Sequence, residues 1–457
     1  MTRKILQSSD IKIPPTLGCF ELFKLLPQFR RDSLKTFLNL TDRYGHIVCF
    51  KGLVTTYLLI THPKEVEHVL QTNQQIYYKS RIYAEGKSSI GNGLLINDGD
   101  FWRQQRRLAQ PAFHRRRIGE FAKIMTDSTE AMLVEWQNFE QNGQAFNVVS
   151  EMKRLTLRVA GLTLFSTELD NNMTVISRSL EIARAHFTRL MWHPIRTQVN
   201  IPTKKRREYL QSVRDIDEVI YQIINEHRQK GESNQNNLLS MLIQAQDEET
   251  GESMSDRQLR DEMLTIFIAG HETTAVALSW TWYLLARHKD VAIKLYDELS
   301  RVLNGRTPTF EDLPKLKYTL MIIEEGLRLY PPIWIIGRRA IADDEIGGYK
   351  IKAGSEIIIS PYITQRHSDF WENPEKFNPE RFPPREPFAR PRFAYFPFGG
   401  GARSCIGDNF ALMEMQLIIA TIAQKYRLCL STDGMIEPSG SITLHPRKEI
   451  MMHLQKL

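Results

Sequence analysis

One cysteine of this 457-residue chain lies where its sulfur could act as a metal ligand. Cys405 follows a run of glycines at 399–401, whose backbone can turn tightly and approach a flat ligand closely. It also precedes a predicted helix over 410–426, whose N-terminal dipole and free N–H groups favour a thiolate. Arg403 adds a fork of donors that suits carboxylates. Together these features suit haem, with iron on the sulfur and a propionate on the arginine, although a lone cysteine is more often simply buried.

A second group of candidate residues lies in a long predicted helix over 255–288, which begins with a capping-box pattern. In its middle, Ala269 and Gly270 are small enough for a ligand or another segment to lie against the helix. The hydroxyl of Thr273 can reach the Ala269 carbonyl and bend the helix locally. Glu272 beside this alcohol suits the delivery of protons to a buried oxygen ligand. The simpler alternative is a polar residue that faces a cavity or solvent.

Other charged side chains follow helical spacing and must be positioned by helices. Trp102 and Arg106 are at i and i+4, so the indole N–H and the guanidinium can bind one acceptor group together. Glu325 and Arg328 are at i and i+3 on another predicted helix and can pair, and Arg381 lies downstream. Each pattern is weak alone, and their order along the chain gives them weight.

That order resembles the cytochrome P450 family. The F-x-x-G-x-R-x-C-x-G haem-binding pattern of the family is matched by Phe398, Gly401, Arg403, Cys405 and Gly407. The segment 269–274 is similar to the family's A-G-x-[DE]-T-T oxygen-activation motif. The resemblance extends from about residue 45 to the C-terminus.

The resemblance implies one P450 domain over 1–457, mainly α with a smaller β-rich portion, and no fused reductase domain. Haem b would be buried between the long central helix and the helix after the cysteine loop, with Cys405 as the axial iron ligand. The implied propionate contacts are Trp102, Arg106, Arg338 and Arg403, and the assignment of Arg338 could shift to Arg339. The implied buried charge network is Glu325, Arg328 and Arg381. The implied substrate pocket is Leu94, Leu95, Phe267, Ala269, Ile335 and Ile336.

The implied activity is that of a monooxygenase, which inserts one atom of O₂ into a C–H or C=C bond, with Glu272 as the acid and Thr273 as the alcohol. A P450-fold peroxygenase or isomerase that needs no redox partner is the alternative, but such relatives typically lose this pair. A haem sensor or electron carrier would not need it either. A zinc or cysteine-nucleophile enzyme would require ligand spacing or a partner histidine that Cys405 lacks.

The expected substrate is lipophilic: a fatty acid, an alkane or a terpenoid. One fatty-acid hydroxylase of the family holds the carboxylate with an Arg and a Tyr, where this chain has Thr55 and Leu59. Electrons are expected from a separate ferredoxin or flavodoxin with its reductase. The basic run 114–117 is a candidate docking patch for such an acidic partner, although most charge runs are simply solvated.

Composition sets further bounds. A net charge of +7 over 457 residues does not indicate a nucleic-acid partner. The four cysteines show no CxxC spacing and fit a reducing compartment. No run is long and apolar enough to be a signal peptide or a transmembrane span. The protein is expected to be a cytoplasmic monomer, either free or peripherally associated with a membrane.

Local patterns complete the predictions. A hairpin is expected over 46–61, a long irregular loop over 80–100, and a lid over the substrate channel around 186–208.

Overall fold

The computed structural model describes residues 14–52, 55–166, 171–192, 203–230, 237–383 and 390–457. The α-helices in chain order are α1 (Cys19–Arg31), α2 (Ser33–Tyr44), α3 (Pro63–Glu67), α4 (Arg81–Ile90), α5 (Gly99–Ala109), α6 (Arg115–Gly119), α7 (Ala122–Gln141), α8 (Val148–Phe165), α9 (Asn171–Trp192), α10 (Lys204–Lys230), α11 (Leu238–Gln244), α12 (Asp256–Arg287), α13 (Lys289–Leu303), α14 (Lys317–Leu329), α15 (Pro361–Thr364) and α16 (Asp408–Ala423).

The strands are short, and together they contain fewer residues than the helices. In chain order they are β1 (Thr16–Leu17), β2 (Ile47–Lys51), β3 (Thr56–Ile60), β4 (Tyr77–Lys79), β5 (Phe146–Asn147), β6 (Ile336–Ala340), β7 (Asp344–Ile346), β8 (Tyr349–Ile351), β9 (Glu356–Ile359), β10 (Tyr426–Leu430), β11 (Pro438–Gly440), β12 (Leu444–Pro446) and β13 (Met451–Lys456). The prediction of a mainly α fold with a smaller β-rich portion is confirmed.

The chain forms two compact units. The first comprises Met1–Arg81, Trp334–Pro374 and Phe388–Ser404, and the second comprises Ile82–Ile333, Glu375–Pro387 and Cys405–Leu457.

A mixed sheet organises the first unit. Its strand order is β1-β2-β3-β9-β6-β4, and the antiparallel pair β2–β3 is the hairpin predicted over 46–61. Strand β6 alternates buried and partly exposed residues, so Ile336, Arg338 and Ala340 lie on its buried face. The sheet therefore turns one of two adjacent arginines inward.

Helix α12 organises the second unit. Ser255 caps its N-terminus, and the predicted capping box with Gln258 is present. The helix packs against α8, α10, α14 and α16. Near its C-terminal end, the Trp280 ring stacks on Tyr330 with centroids 4.0 Å apart, and its indole N–H donates to the Leu444 carbonyl at 2.8 Å.

Two local predictions need comment. Helix α4 occupies residues expected to be irregular, because the glycine at 86 is tolerated inside the helix and the chain turns only at Gly91, where φ is +75°. In the expected lid, residues 193–202 lie outside the described residues. Nowhere in the described part of the chain is a helix long and apolar enough to cross a membrane.

Candidate functional site

The cysteine loop takes its shape from glycines that pack against the first unit's own chain. Gly401 has φ +67°, and a Cβ there would lie 1.8 Å from the Leu70 carbonyl oxygen. A Cβ on Gly400 would lie 2.2 Å from the Phe393 ring. Contacts within the chain therefore favour glycine at both positions, in addition to the tight turn and the flat ligand expected from the sequence.

Cys405 has an exposed side chain and begins the turn before α16. Desolvation by surrounding protein raises the pKa of its thiol to about 11, and the charge of Asp408 raises it too. A backbone hydrogen bond from Gly407 and the charge of Arg106 act in the opposite direction but are weaker. In the protein alone the pKa of the Cys405 thiol is therefore raised, which is the opposite of the stabilised thiolate expected from the sequence. A metal ion would have to displace the thiol proton.

The middle of α12 is open, although most of the helix is buried. Ala269 is exposed, and a Cβ on Gly270 would meet no atom within 4 Å. In the second unit Cys405 is thus exposed, and the face of α12 at Ala269 and Gly270 has little or no side chain. The donor set and the open face fit haem.

Threonine hydroxyls bind three successive carbonyl groups of α12, those of residues 269 to 271. Thr273 donates to Ala269 at 2.6 Å, as predicted, and Thr274 donates to the next carbonyl at 2.9 Å. Thr156, on α8, donates to the third at 2.9 Å. Extra donors at helix carbonyls weaken the regular backbone bonding there. Because the Thr273 proton lies on a carbonyl, its oxygen remains available as an acceptor.

Glu272 lies in a charge cluster that sequence reasoning missed. Its Oε1 is 3.0 Å from His445 Nε2 and 3.8 Å from Arg184 Nε, and it accepts from the Thr443 hydroxyl at 3.4 Å. Desolvation raises the pKa of Glu272, but the hydrogen bond and charge of His445, followed by Arg184, lower it overall to about 2. Glu272 is therefore a carboxylate at neutral pH. A carboxylate with this pKa holds no stored proton at neutral pH, so the predicted acid role does not fit; the carboxylate can instead accept hydrogen bonds from waters that carry protons.

Phe267 does not line an accessible cavity. Its side chain is wholly buried, and its ring centroid is 6.1 Å from that of Phe165 in the core between α8 and α12. The pocket prediction for Phe267 is wrong, because two residues along a helix turn a side chain by about 200° from Ala269. In the first unit Ile336 is almost buried, whereas Ile335 is partly exposed.

The loop after α4 is attached to α12 through two carboxylates. Asp261 accepts from the backbone N–H of Asn92 at 2.7 Å, and Glu262 accepts from that of Leu94 at 3.0 Å. A Cβ on Gly91 would lie 1.9 Å from the Asp261 carboxylate, so only glycine fits. Leu94 and Leu95 are partly exposed, and Leu94 packs against a cluster of buried apolar side chains, several of which are on α12.

Two of the predicted propionate contacts lie on α5. Trp102 and Arg106 are both partly exposed, one turn apart. Burial lowers the pKa of Arg106, and the charges of Cys405 and Asp408 partly offset this. The second unit therefore brings Arg106 into the electrostatic environment of Cys405.

The other two predicted contacts lie in the first unit. Arg338 is 6% exposed and donates to the Gly337 carbonyl at 3.0 Å, while Arg339 is partly exposed on the other face of β6. Because Arg338 is on the buried face of β6, it is favoured over Arg339 as the proposed propionate contact. Arg403 ends a short 3₁₀ turn and is partly exposed.

The predicted buried charge network is present in the second unit. Arg328 donates to both oxygens of Glu325 at 2.6 and 2.8 Å, and Arg381 Nε lies 3.4 Å from Glu325 Oε1. The backbone N–H of Asn378 donates to the same carboxylate, and the Lys376 carbonyl accepts from Arg328. Glu325 and Arg328 are wholly buried, so each depends on the other to offset its desolvation.

A further buried acid connects α12 and α16. Glu414 is 2% exposed, and burial raises its pKa to about 8, while the nearby Thr274 side chain acts in the opposite direction. Its signal in the sequence is an acid inside an otherwise apolar helix. Glu414 was not predicted as a site residue, because the motifs found in the sequence end at residue 407.

Comparisons with known proteins agree with this geometry. The family model described as Cytochrome P450 matches residues 14–453. Two relatives from Streptomyces melanosporofaciens, cyclooctatin synthase and cyclooctat-9-en-7-ol 5-monooxygenase, are 34% and 35% identical over 410 and 393 residues. These alignments cover 89% and 86% of this chain and 88% and 84% of the relatives.

Pentalenene oxygenase of Streptomyces avermitilis is 31% identical over 415 residues, which are 90% of this chain and 91% of the relative. Among solved structures, the cytochrome P450DA heme domain superposes with a TM-score of 0.89 at 26% identity and 98% coverage of both chains. The family match includes both compact units. The chain therefore belongs to the cytochrome P450 family and is a haem b monooxygenase of that family.

Proposed function

We propose that this P450 inserts one atom of O₂ into a C–H or C=C bond of a cyclic terpenoid and takes its electrons from a separate redox protein. The observation that carries the proposal is the open middle of α12, where the exposed Ala269 and the bare Gly270 adjoin the Thr273 hydroxyl. The whole chain would act as a single P450 domain and as a monomer.

The cofactor assignment follows the haem-binding pattern of the family. When bound, haem supplies the reduction of O₂ and the oxygen insertion. Cys405 would hold the iron, within the loop that Phe398 and Gly401 shape. The residues proposed for the propionates are Trp102, Arg106, Arg338 and Arg403.

Proton delivery would run along α12. The Glu272 carboxylate, held by His445 and Arg184, would stay ionised and accept hydrogen bonds from waters that carry the protons. The Thr273 oxygen, whose own proton is on Ala269, can accept and orient the donor next to it.

The pH dependence of turnover should reflect the low pKa of Glu272, about 2. A group with a lowered pKa stays ionised down to that pKa, so wild-type turnover should show no limb from Glu272 between pH 5 and 9. His445→Gln removes the partner that lowers the pKa most, and the opposing desolvation then raises it. We expect the pH profile of turnover of the variant to have a new limb on its acidic side, because the fraction of protonated Glu272 grows as the pH falls. Identical pH profiles of product formation would contradict this assignment.

The substrate class is inferred from the apolar residues that the sequence predicts to contact the substrate and from the relatives. Leu94, Leu95 and Ile335 are partly exposed apolar side chains. Leu59, at the position where a fatty-acid hydroxylase binds the carboxylate, is wholly buried and offers no polar group. The molecules named in the monooxygenase and oxygenase relatives are cyclic terpenoids. A neutral, polycyclic terpenoid is therefore favoured over a fatty acid or an alkane.

Turnover with added redox proteins tests the proposal. The haem-loaded enzyme, a ferredoxin, its reductase and NAD(P)H are incubated with cyclic terpenes, linear alkanes and fatty acids, and the products are identified by mass spectrometry. We expect hydroxylated or epoxidised terpenes that require the redox proteins. Product formed equally well from hydrogen peroxide without them, or oxidation of fatty acids alone, would contradict the proposal.

The proposed electron-transfer contact is the basic run on and before α6. The three arginines at 115–117 are exposed, and Arg115 also lies over the Phe310 ring at 5.9 Å. Reversal of all three charges to Glu should slow reduction by the ferredoxin at least tenfold at low salt and flatten its salt dependence, because steering by opposite charges is lost.

A matched control carries the same charge change on another exposed basic run. Lys204, Lys205 and Arg207 on α10 are exposed, and their reversal to Glu should leave the reduction rate near that of the wild type. Stopped-flow reduction at several salt concentrations measures both variants. Equal slowing of the two would show that net charge, not this patch, determines the rate.

We propose a cytoplasmic location with peripheral membrane contact through α1. Phe20 and Phe23 of this helix are 72% and 59% exposed, and Lys24 and Arg30 accompany them. Apolar side chains next to basic ones favour the interface of an anionic bilayer.

A further inference from the structure

A histidine cluster lies in the first unit, on segments that none of the assignments above uses. His46 precedes β2, His62 caps α3, and His367 and Asp369 follow α15. The ring of His46 is 4.4 Å from that of His367 and 5.0 Å from that of His62. One potential ligand atom from each of His46, His367 and Asp369 lies within 4.8 Å of the others.

A buried threonine fixes which nitrogen of His46 is free. The Thr61 hydroxyl, wholly buried, donates to the His46 carbonyl oxygen at 3.4 Å. Its oxygen lies 3.4 Å from His46 Nδ1 and can accept the proton of that nitrogen. Nε2 is then left with its lone pair, and it lies 3.7 Å from Asp369 Oδ2. An outer hydrogen bond that sets the tautomer is typical of a metal-binding histidine.

His367 Nδ1 lies near the same carboxylate oxygen. It accepts the backbone N–H of Asp369 at 3.2 Å, so this nitrogen is unprotonated. It lies 3.7 Å from Asp369 Oδ2. Two nitrogens and a carboxylate oxygen therefore lie close together, and a metal ion bound there would displace the backbone hydrogen bond on His367 Nδ1.

His62 is not a fourth ligand. Its Nδ1 accepts from the Lys64 backbone N–H at 3.2 Å and lies 2.8 Å from Glu65 Oε2, so its polar contacts lie within its own helix. Its ring packs edge-on against His46 and supports it from one side.

We propose that His46, His367 and Asp369 bind a divalent transition-metal ion such as Zn²⁺, with water in the remaining position. Zn²⁺ bonds of about 2.0–2.2 Å in a tetrahedron place ligand atoms about 3.3–3.6 Å apart, so the two 3.7 Å separations need only small shifts. Two imidazoles favour Zn²⁺ over Mg²⁺ or Ca²⁺, which prefer oxygen ligands. The two histidines are partly exposed and Asp369 is exposed, so an ion can enter from solution.

Calorimetric titration with ZnSO₄ tests the proposal on the haem-loaded full chain without a polyhistidine tag. We expect one Zn²⁺ bound per chain by this site and no comparable event with Mg²⁺. Asp369→Asn keeps the side-chain shape at an exposed position and should weaken this event at least tenfold, and His367→Gln should do the same.

The matched control is His62→Gln, which alters an imidazole of the same cluster that provides no ligand and should keep the event. The haem absorbance spectrum of each variant verifies that it is folded. Unchanged Zn²⁺ binding in Asp369→Asn and His367→Gln would overturn the proposal, as would the absence of a one-to-one event in the wild type.

Discussion

Glu325→Gln is expected to destabilise the protein by about 3–5 kcal/mol, the typical cost of removing one partner of a buried ion pair. The Arg328 guanidinium is wholly buried and uses both oxygens of Glu325, and the ion pair of Arg381 is with the same carboxylate. A neutral amide would leave these charges without a counter-charge in a region that excludes water. Since a domain is stable by only about 5–15 kcal/mol in total, much of the variant should be unfolded and lack haem.

Denaturant unfolding and the haem content after purification measure this effect. The control is Glu324→Gln, which makes the same change one position earlier on α14, at a partly exposed side chain. It should change the free energy of unfolding by less than about 1 kcal/mol. If the two variants were equally stable, Glu325 would not be the centre of a buried charge network.

Thr273→Ala is expected to separate NAD(P)H consumption from product formation. Alanine is the best helix former, so α12 should fold and the variant should bind haem. It removes the hydroxyl next to Ala269 that we assign to orienting proton delivery. Product formed per NAD(P)H oxidised should fall, by up to the roughly 10²–10⁴-fold that a positioned proton donor contributes, and hydrogen peroxide should rise.

Thr273→Ser is the matched control, because it keeps a hydroxyl that can donate to the same carbonyl. Its ratio of product to NAD(P)H should stay close to that of the wild type. An unchanged ratio in Thr273→Ala would mean that the hydroxyl has no part in the reaction.

Local geometry explains which site features the sequence could predict. The contact of Thr273 with Ala269 and the pair of Glu325 and Arg328 depend only on helical spacing. The helix pattern also predicted the start of α12 at its capping box. Such relations need no knowledge of which elements pack together.

Features that depend on tertiary packing could not be derived in this way. His445 is 173 residues from Glu272, and nothing in the sequence links them, so the carboxylate's low pKa was unforeseen. The raised pKa of Cys405 comes from desolvation by residues that fold around it. Phe267 was misplaced because a helix face that is buried against α8 looks the same in sequence as one that lines a pocket.

The central claim is that Cys405 provides the axial sulfur of the haem iron. The most direct measurement is the absorbance spectrum of the reduced protein with carbon monoxide. The wild type should give the red-shifted band of a haem thiolate, and so should Cys19→Ser, Cys49→Ser and Cys429→Ser. Cys405→Ser should lose that band. A band that persists in Cys405→Ser would contradict the account.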